Sequence, residues 1–464
     1  MTSEYTTLDA SAPHLDVDAL LDDPQTRIIV CCGAGGVGKT TTAAALGVRA
    51  AERGRRAVVL TIDPARRLAQ SMGISELDNI PRQVKDVRGP GGGELFAMML
   101  DMKRTFDEIV EAHADKERAR AILENPFYQS LSAGFAGTQE YMAMEKLGQL
   151  RSRDEWDLII VDTPPSRSAL DFLDAPKRLG SFLDGKFIRV LMAPAKVGGR
   201  AGMKFLNVGM SMMTGTLSKL MGGQLLKDVQ TFVAAMDTMF GGFRTRADAT
   251  YRLLQAPGTA FLVVAAPERD ALREAAYFVE RLAAEQMPLA GLVLNRVHGS
   301  GADQLSAERA LAAAETLTDL AGTENSVSAG GEAAENLADD GIVDLGGGKA
   351  GSRTADAPSP AAPALHQNDP GTPPESKQSP EARSARIAAG LLTLHAERMQ
   401  VLARERRTRD RFTALHPEVP VAEIAALPGD VHDVAGLREI GNRLVSRHGD
   451  DEENRDDASA SDAG

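Results

Sequence analysis

The sequence predicts an α/β protein whose core is a mostly parallel sheet flanked by helices. Apolar segments rich in β-branched residues recur along the chain, and helix-forming segments separate them, as crossover connections between parallel strands require. Polar residues follow several of these segments directly, where parallel sheets bind their ligands. The apolar segments are 27–32, 57–62, 95–100, 158–161, 261–265 and 289–295.

Length and composition indicate a globular protein with one large domain and additions. The chain has 464 residues, of which 43% are hydrophobic and 25% charged, as is usual for a protein with a full core. A net charge of −13 argues against nucleic acid as a partner, because nonspecific binding requires a basic surface. We expect a cytoplasmic protein, because the first 25 residues lack a signal-peptide pattern and no apolar run is long enough to span a membrane.

The two cysteines are adjacent, at Cys31 and Cys32, in the first apolar segment. Neighbouring side chains of a strand point to opposite faces, so these thiols are not placed to form a disulfide with each other or to share a metal. We therefore expect two buried thiols in a reducing compartment.

A glycine-rich turn between the first apolar segment and a helix-forming segment is the most informative motif. Its glycines allow backbone N–H groups to close around phosphate oxygens, and the new helix presents its positive end to them. Lys39 is placed to reach the β- and γ-phosphates, and the Thr40 hydroxyl to ligand Mg²⁺. The motif therefore predicts binding of a nucleoside triphosphate with Mg²⁺. The binding residues are Gly35, Gly36, Val37, Gly38, Lys39, Thr40 and Thr41.

Two aspartates end strands that we expect beside this loop. Asp162 follows the segment 158–161, at the position of the aspartate that holds Mg²⁺ in many phosphoryl-transfer sites. Asp63 follows the segment 57–62 and precedes Pro64. Each also fits a bland interpretation, because aspartate is common in turns and helix caps, and Asp-Pro alone is typical of a turn.

These motifs resemble those of the deviant Walker A ATPases, the family that includes the arsenite-pump ATPase and the tail-anchored-protein-targeting ATPase, and actinobacterial members in particular. The resemblance implies a P-loop fold with Mg²⁺-dependent ATP hydrolysis. Lys39 and Asp63 would be the catalytic residues, with Asp63 in the switch I motif positioning the attacking water. Asp162 opens a segment similar to switch II, although Arg167 and Ser168 stand where the family usually has Gly-His.

The resemblance also implies a base-binding side to the site. Asn295, at the end of a late apolar segment, matches the asparagine that reads the adenine edge, although a lone asparagine at a strand end is more often a cap. Residues 427–437 resemble the loop that closes over the base. A weaker similarity relates residues 136–140 to the family's Pro-Gly-x-Asp-Glu segment.

Ala34 is the main departure from the family pattern. The family usually carries a lysine at this position, and that lysine crosses the dimer interface to the partner's nucleotide. A methyl group cannot neutralise phosphate charge, so we expect a heterodimer with a paralogous ATPase subunit that supplies the missing lysine. The alternative is a nucleotide-binding regulatory subunit with little hydrolysis.

Composition also predicts the organisation of the chain. Residues 321–380 contain nine glycines, seven prolines and no aromatic residue, too little apolar surface to offset the entropy of ordering. The expected divisions are a flexible N-terminus (1–25), two parts of the ATPase core (26–180 and 253–298), an inserted Met-rich helical subdomain (181–252), a disordered insertion (299–380), a C-terminal helix with the base-closing part of the core (381–448), and an acidic tail (449–464).

Residues 181–252 hold eight of the 17 methionines, with ten Lys or Arg against four Asp or Glu. Methionine suits surfaces that re-pack around varied apolar partners. In the resembled targeting ATPase the corresponding subdomain forms a groove for a transmembrane helix, which makes an apolar or membrane-protein client the expected partner. A closed Met-rich core with a solvated basic face remains the alternative. The insertion contains no cysteine, so no zinc site is expected there.

Overall fold

The computed structural model describes residues 13–63, 67–74, 77–87, 89, 91–131, 138–164, 232, 242, 245–327 and 379–445. These residues form two compact units, one made of residues 1–299 with 402–464 and the other of residues 300–401. Most of the Met-rich segment (181–252), most of the insertion (299–380) and the acidic tail (449–464) fall outside the described residues, so the expectations for them stay predictions.

The first unit is built on an eight-stranded sheet, which confirms the fold class. Seven of its strands run parallel and only β3 pairs antiparallel with β4. The order across the sheet is β3-β4-β2-β5-β1-β6-β7-β8. The strands are β1 (Ile28–Gly33), β2 (Arg56–Thr61), β3 (Arg82–Gln83), β4 (Glu94–Met99), β5 (Leu158–Asp162), β6 (Thr259–Ala265), β7 (Leu289–Val297) and β8 (Val421–Ala425).

Eleven helices can be given bounds within the described residues, and residues 245–255 are also helical. None of the described helices is long and apolar enough to cross a membrane. The helices are α1 (Val17–Asp22), α2 (Lys39–Glu52), α3 (Arg67–Ser71), α4 (Met102–His113), α5 (Lys116–Leu123), α6 (Pro126–Leu131), α7 (Thr138–Ser152), α8 (Arg269–Ala284), α9 (Ala307–Val327), α10 (Pro380–Leu415) and α11 (Val434–Arg443).

Buried apolar residues form two clusters, and β1 contributes to both. Side chains alternate along a strand, so Val30 and Cys32 belong to one cluster and Ile29 and Cys31 to the other. The two thiols are therefore buried and point to opposite faces, as the sequence predicts. Both faces of the central strand are covered, as is typical of a parallel sheet.

Helix α2, which follows the glycine-rich loop, packs unusually close to the sheet. A Cβ added at Gly47 would come within 2.7 Å of Val59 Cγ2 and 3.0 Å of Leu95 Cδ1. Buried alanines at 43–45 and 50–51 make the rest of this face small. Because the close approach fixes α2 against β2 and β4, it also fixes the loop that leads into α2.

The N-terminal segment differs from the expected flexible residues 1–25. Residues 13–25 are packed, with Asp16 capping α1 and Val17 and Leu21 fully buried. The Asp18 carboxylate accepts from Arg49 Nε at 2.5 Å and Nη2 at 2.7 Å. Before α1, the Val421 N–H donates to Pro13 O at 2.8 Å, and the Leu15 N–H donates to Val421 O at 3.1 Å. The segment thus covers one end of the edge strand β8.

The second unit contains α9 and the first part of α10, residues 380–401. The buried apolar side chains of this unit are those of alanines. A seven-residue spacing places Ala382, Ala389 and Ala396 on one face of α10. His395 Nε2 lies 2.8 Å from Leu305 O. Residues 307–327 form α9, so this part of the expected disordered insertion (299–380) is helical, and residues 328–378 fall outside the described residues.

Candidate functional site

The glycine-rich loop joins β1 to α2 at the carboxyl edge of the sheet. Gly36 and Gly38 have φ values of +77° and +96°, a region that favours glycine. Gly38 is the N-cap of α2 and makes no side-chain capping bond, so the first N–H groups of the helix receive no cap from this residue. A ring of backbone donors of this kind at a helix N-terminus suits a phosphate group.

Lys39 lies across the inside of this loop. Its Nζ donates to Ala34 O at 2.7 Å, and the side chain is buried. Burial lowers the pKa of the Lys39 ammonium, while the nearby charges of Asp162 and Asp63 act to raise it. The lysine is therefore next to both aspartates that the sequence selects.

Asp162 ends β5 and is fully buried. Its Oδ2 accepts hydrogen bonds from Thr40 Oγ1 at 2.8 Å and from Thr61 Oγ1 at 2.9 Å. Burial raises the pKa of the carboxyl to about 6, against the opposing effect of the two hydroxyl donors and of Lys39. The strand register places the pair, since Thr61 of β2 lies beside Asp162 of β5.

These residues fit a divalent cation. Asp162 Oδ1 is buried and has no hydrogen-bond partner among the described residues, and the Thr40 hydroxyl is bonded to the other oxygen of the same carboxylate. Carboxylate and hydroxyl oxygens are suitable Mg²⁺ ligands, and Mg²⁺ is commonly held by one or two carboxylates together with substrate phosphates. Within the described ranges no group of three or more His, Cys, Asp or Glu side chains is arranged for a metal, so a cage made of protein ligands alone is not found there.

Asp63 follows β2 and lines the same cavity as Lys39 and Thr40. Thr61 Oγ1, which contacts Asp162, also lies 3.3 Å from Asp63 O. The Ile62 N–H donates to Asp162 O at 2.9 Å. The turn that carries Asp63 is therefore fastened to the end of β5.

Asn295 lies on the opposite side of the loop, near the end of β7. Its Nδ2 donates to Val37 O at 2.8 Å, and its Oδ1 accepts from the Arg296 N–H at 3.0 Å. A Cβ added at Gly38 would stand 2.1 Å from Asn295 Nδ2. In this structure the asparagine holds the glycine-rich loop through one N–H of its amide.

A cavity of about 770 Å³ is lined by Lys39, Thr40, Asp63 and Asn295, whereas Asp162 is not among its lining residues. Its size lies within the range usual for small-molecule sites. The wall opposite the loop is made of residues 424–432, so the segment expected to close over the base does border the cavity. The lining residues are Gly36, Gly38, Lys39, Thr40, Thr41, Asp63, Gln70, Ser71, Thr163, Asn295, Arg296, His298, Ile424, Ala425, Ala426, Leu427, Pro428, Gly429, Asp430, Val431, His432 and Ile440.

Three residues of this region have a contact or a backbone conformation that the sequence did not indicate. Thr61 holds Asp162, and its position two residues before Asp63 was the available signal, because such residues share a face of a strand. Arg296 has a φ of +62°, uncommon for a residue with a side chain. His298 Nδ1 lies 2.7 Å from Glu405 Oε1. The two residues are far apart in the sequence, so no local pattern predicts their contact.

Several predicted features fall outside the described residues. Switch II is described only at Asp162, Thr163 and Pro164, and residues 165–231 are not described. In the segment expected to match Pro-Gly-x-Asp-Glu, the side chain of Gln139 is described and donates to Ile62 O at 2.8 Å.

Comparison with known proteins agrees with this geometry. Residues 26–315 match the family described as anion-transporting ATPase. A protein named ATPase GET3 from Podospora anserina is 27% identical over 316 residues, which covers 67% of this chain and 85% of the relative. An ATPase ARSA2 from Chlamydomonas reinhardtii is 25% identical over 291 residues, covering 62% and 72%.

A shorter match gives a slightly higher identity. An ATPase GET3 from Malassezia globosa is 30% identical over 179 residues, which is 39% of this chain and half the length of that relative. The family match covers more than half of the chain and includes both the glycine-rich loop and Asp162. The chain therefore belongs to the anion-transporting ATPase family, together with the arsenical-pump and GET3 ATPases.

Proposed function

We propose that this chain binds ATP with Mg²⁺ and hydrolyses it, in a dimer whose opening and closing depend on the nucleotide. The observation that carries the proposal is the contact between Thr40 and Asp162, together with a buried Asp162 Oδ1 for which the described part of the chain offers no hydrogen-bond partner. A buried carboxylate without a second partner is costly unless a cation or proton compensates it. A cation at this position would supply that compensation.

Each residue of the site has a role in this proposal. Backbone N–H groups of residues 35–41 hold the phosphates, and Lys39 exchanges its bond to Ala34 O for bonds to phosphate oxygens. Thr40 and Asp162 hold Mg²⁺. When bound, Mg²⁺-ATP supplies an activated phosphoryl group whose negative charge the metal partly neutralises. Asp63 accepts a hydrogen bond from the attacking water and orients it, and Asn295 reads the adenine edge.

The proposal includes a paralogous partner subunit. Ala34 offers only a methyl group at the mouth of the loop, its side chain is largely buried among apolar residues, and its carbonyl accepts from Lys39. The position therefore provides no charge to a neighbouring subunit's nucleotide. A heterodimer in which the partner brings the crossing lysine would resemble an arginine-finger arrangement, with one complete site per pair.

The same residue supports a second candidate function. In this second candidate, a subunit that cannot complete a partner's site serves as a nucleotide-binding regulator with little turnover of its own. Arg167 and Ser168, which replace the usual residues of switch II, favour it too. A chaperone role, with an apolar or membrane-protein client bound at residues 181–252, concerns the output of either function. That part of the proposal rests on the composition of the segment and on its resemblance to the targeting ATPase.

The test is the ATPase rate and oligomeric state of the purified chain, alone and mixed with its nearest paralogue. Asp63→Asn is the test variant, and Asp270→Asn is the matched control, since Asp270 is 81% exposed on α8. We expect hydrolysis that rises with the paralogue, is lost in Asp63→Asn and is unchanged in Asp270→Asn. ATP binding without hydrolysis in every mixture would reject the ATPase proposal and favour the regulatory subunit.

A further inference from the structure

Gln139, in the first turn of α7, contacts the backbone directly before Asp63. Its Nε2 donates to Ile62 O at 2.8 Å. The N–H of the same residue, Ile62, donates to Asp162 O at 2.9 Å. Both backbone polar groups of Ile62 are therefore held, one by a helix and one by the end of β5.

A hydrogen bond to the Ile62 carbonyl affects the orientation of Asp63. It belongs to the planar peptide unit that enters Asp63, so a hydrogen bond to its oxygen fixes the rotation of that plane. On its other side Asp63 precedes Pro64 in the sequence, which restricts the backbone of Asp63 to extended conformations. The side-chain direction of Asp63 is thus set largely by the peptide plane that Gln139 holds.

Helix α7 makes a second polar contact about 9 Å further along its axis, given a rise of about 1.5 Å per residue. There the buried Glu145 accepts from Arg246 Nε at 2.8 Å and 3.1 Å through its two oxygens, and the Tyr141 hydroxyl donates to it. Arg246 belongs to the helical residues 245–255, which fall at the end of the Met-rich segment 181–252.

Between the two contacts α7 is tightly packed. Its residues 141–144, 147 and 150 are all buried in the core. Because a close-packed helix moves as a body and does not deform gradually, a shift of its first turn is felt at Glu145. The two ends of this stretch contact the turn of Asp63 and the helix at residues 245–255.

We propose that Gln139 is a positioning residue for Asp63, and that α7 carries the state of the nucleotide site to the helix at 245–255. The inference rests on the proposed role of Asp63 in ATP hydrolysis. When the turn that carries Asp63 moves in response to bound nucleotide, the hydrogen bond from Gln139 to the Ile62 carbonyl moves the first turn of α7. Because α7 moves as a body, the displacement reaches the Glu145–Arg246 pair. Coupling of this kind is reciprocal, so a change at the Glu145–Arg246 pair also alters nucleotide affinity.

Two substitutions remove the donor in different ways. Gln139→Glu keeps the shape and sets a carboxylate against the carbonyl, and Gln139→Met removes the donor without adding charge. Loss of a hydrogen bond of this kind corresponds to about a tenfold effect. We expect both variants to lower kcat by about tenfold with less than a twofold change in ATP affinity. Gln149→Glu, the same change later on α7, is the matched control and should behave as the wild type.

Hydrogen exchange supplies a readout that does not depend on turnover. In the nucleotide-free protein, both Gln139 variants should exchange faster at residues 61–63 than the wild type. Adding Mg²⁺-ATP should change the protection of residues 245–255 in the wild type, and should change it less in Gln139→Met and in Glu145→Gln. The effects of the two substitutions on this change should be non-additive in the double variant, because they interrupt one route.

The failures of the two proposals are distinguishable. If the wild type hydrolyses ATP and the Gln139 variants match it in kcat and in exchange, the positioning role is wrong while the ATPase function stands. If kcat falls but residues 245–255 respond to nucleotide as before, the transfer through α7 is wrong. A wild type that hydrolyses no ATP in any mixture removes the proposed function, and with it the role of Gln139.

Discussion

Burial of the Asp162 carboxylate lowers the stability of the nucleotide-free protein, and this loss can be measured directly. The carboxyl is fully buried, and burial raises its pKa from 3.8 to about 6. A folded state that binds the proton more tightly than the unfolded chain loses stability as pH rises from about 4 through 6. The difference of roughly two pKa units corresponds to about 3 kcal/mol at pH 8, falling to about half of that at pH 5.

Asp162→Asn should therefore stabilise the nucleotide-free protein at pH 8. An amide of the same shape keeps an oxygen to accept from Thr40 and Thr61 and carries no charge to desolvate. We expect a gain approaching about 3 kcal/mol at pH 8 that falls below about 1 kcal/mol at pH 4 and reaches zero below about pH 3, where the carboxyl is protonated in both states. Urea unfolding at several pH values, followed by circular dichroism with both proteins in EDTA, measures this difference.

Mg²⁺-ATP should reverse the order of stability. Ligand that binds the folded protein stabilises it by mass action, and a variant without the carboxylate loses the metal ligand that this gain requires. The wild type should then unfold at a higher urea concentration than Asp162→Asn. A variant that is less stable than the wild type at every pH without nucleotide would refute the reasoning, because it would mean that the Asp162 charge is not desolvated.

Three further predictions concern the loop and the strand before it. Ala34→Lys should give at least a tenfold rise in ATP hydrolysis by the chain alone, measured with its oligomeric state; an unchanged rate would contradict the assigned role of this position. Gly38→Ala should lower the free energy of unfolding in urea by about 1–3 kcal/mol, because the backbone φ is positive and the added Cβ would approach Asn295. An unchanged urea midpoint would contradict the close contact between Gly38 and Asn295. Burial raises the pKa of Cys32 to about 12, so iodoacetamide at pH 8 should label it only after unfolding, by mass spectrometry; rapid labelling of the native protein would show an open strand.

The sequence predicted the strands whose own residues are apolar enough to indicate burial. All six expected strands exist because each is a short run of mostly apolar residues, most of which are buried in the sheet. The edge strand β8, residues 421–425, was missed because it is short, rich in alanine and only half-buried. Helix α1 was missed because its six residues depend on distant partners, of which Arg49 of α2 is the main one.

The site divides in the same way. The glycine-rich loop and Asp162 are local patterns with a fixed spacing, and the structure brings them together. The role of Thr61 depends on the register between β2 and β5, which no single segment records. Helix α9 was missed because composition averaged over residues 299–380 hides an alanine-rich start, residues 307–321, that favours a helix on its own.

The contact of residues 13–15 with Val421 has a consequence for how the chain behaves among its own copies. An outer strand of a sheet presents unpaired N–H and C=O groups that recruit strands from other molecules. The N-terminal segment fills one end of that outer edge, and the Asp18–Arg49 pair anchors it from behind. A chain shortened beyond Asp16 would expose the unpaired backbone groups at this end of β8. Residues 13–15 therefore reduce self-association through β8 as well as forming part of the fold.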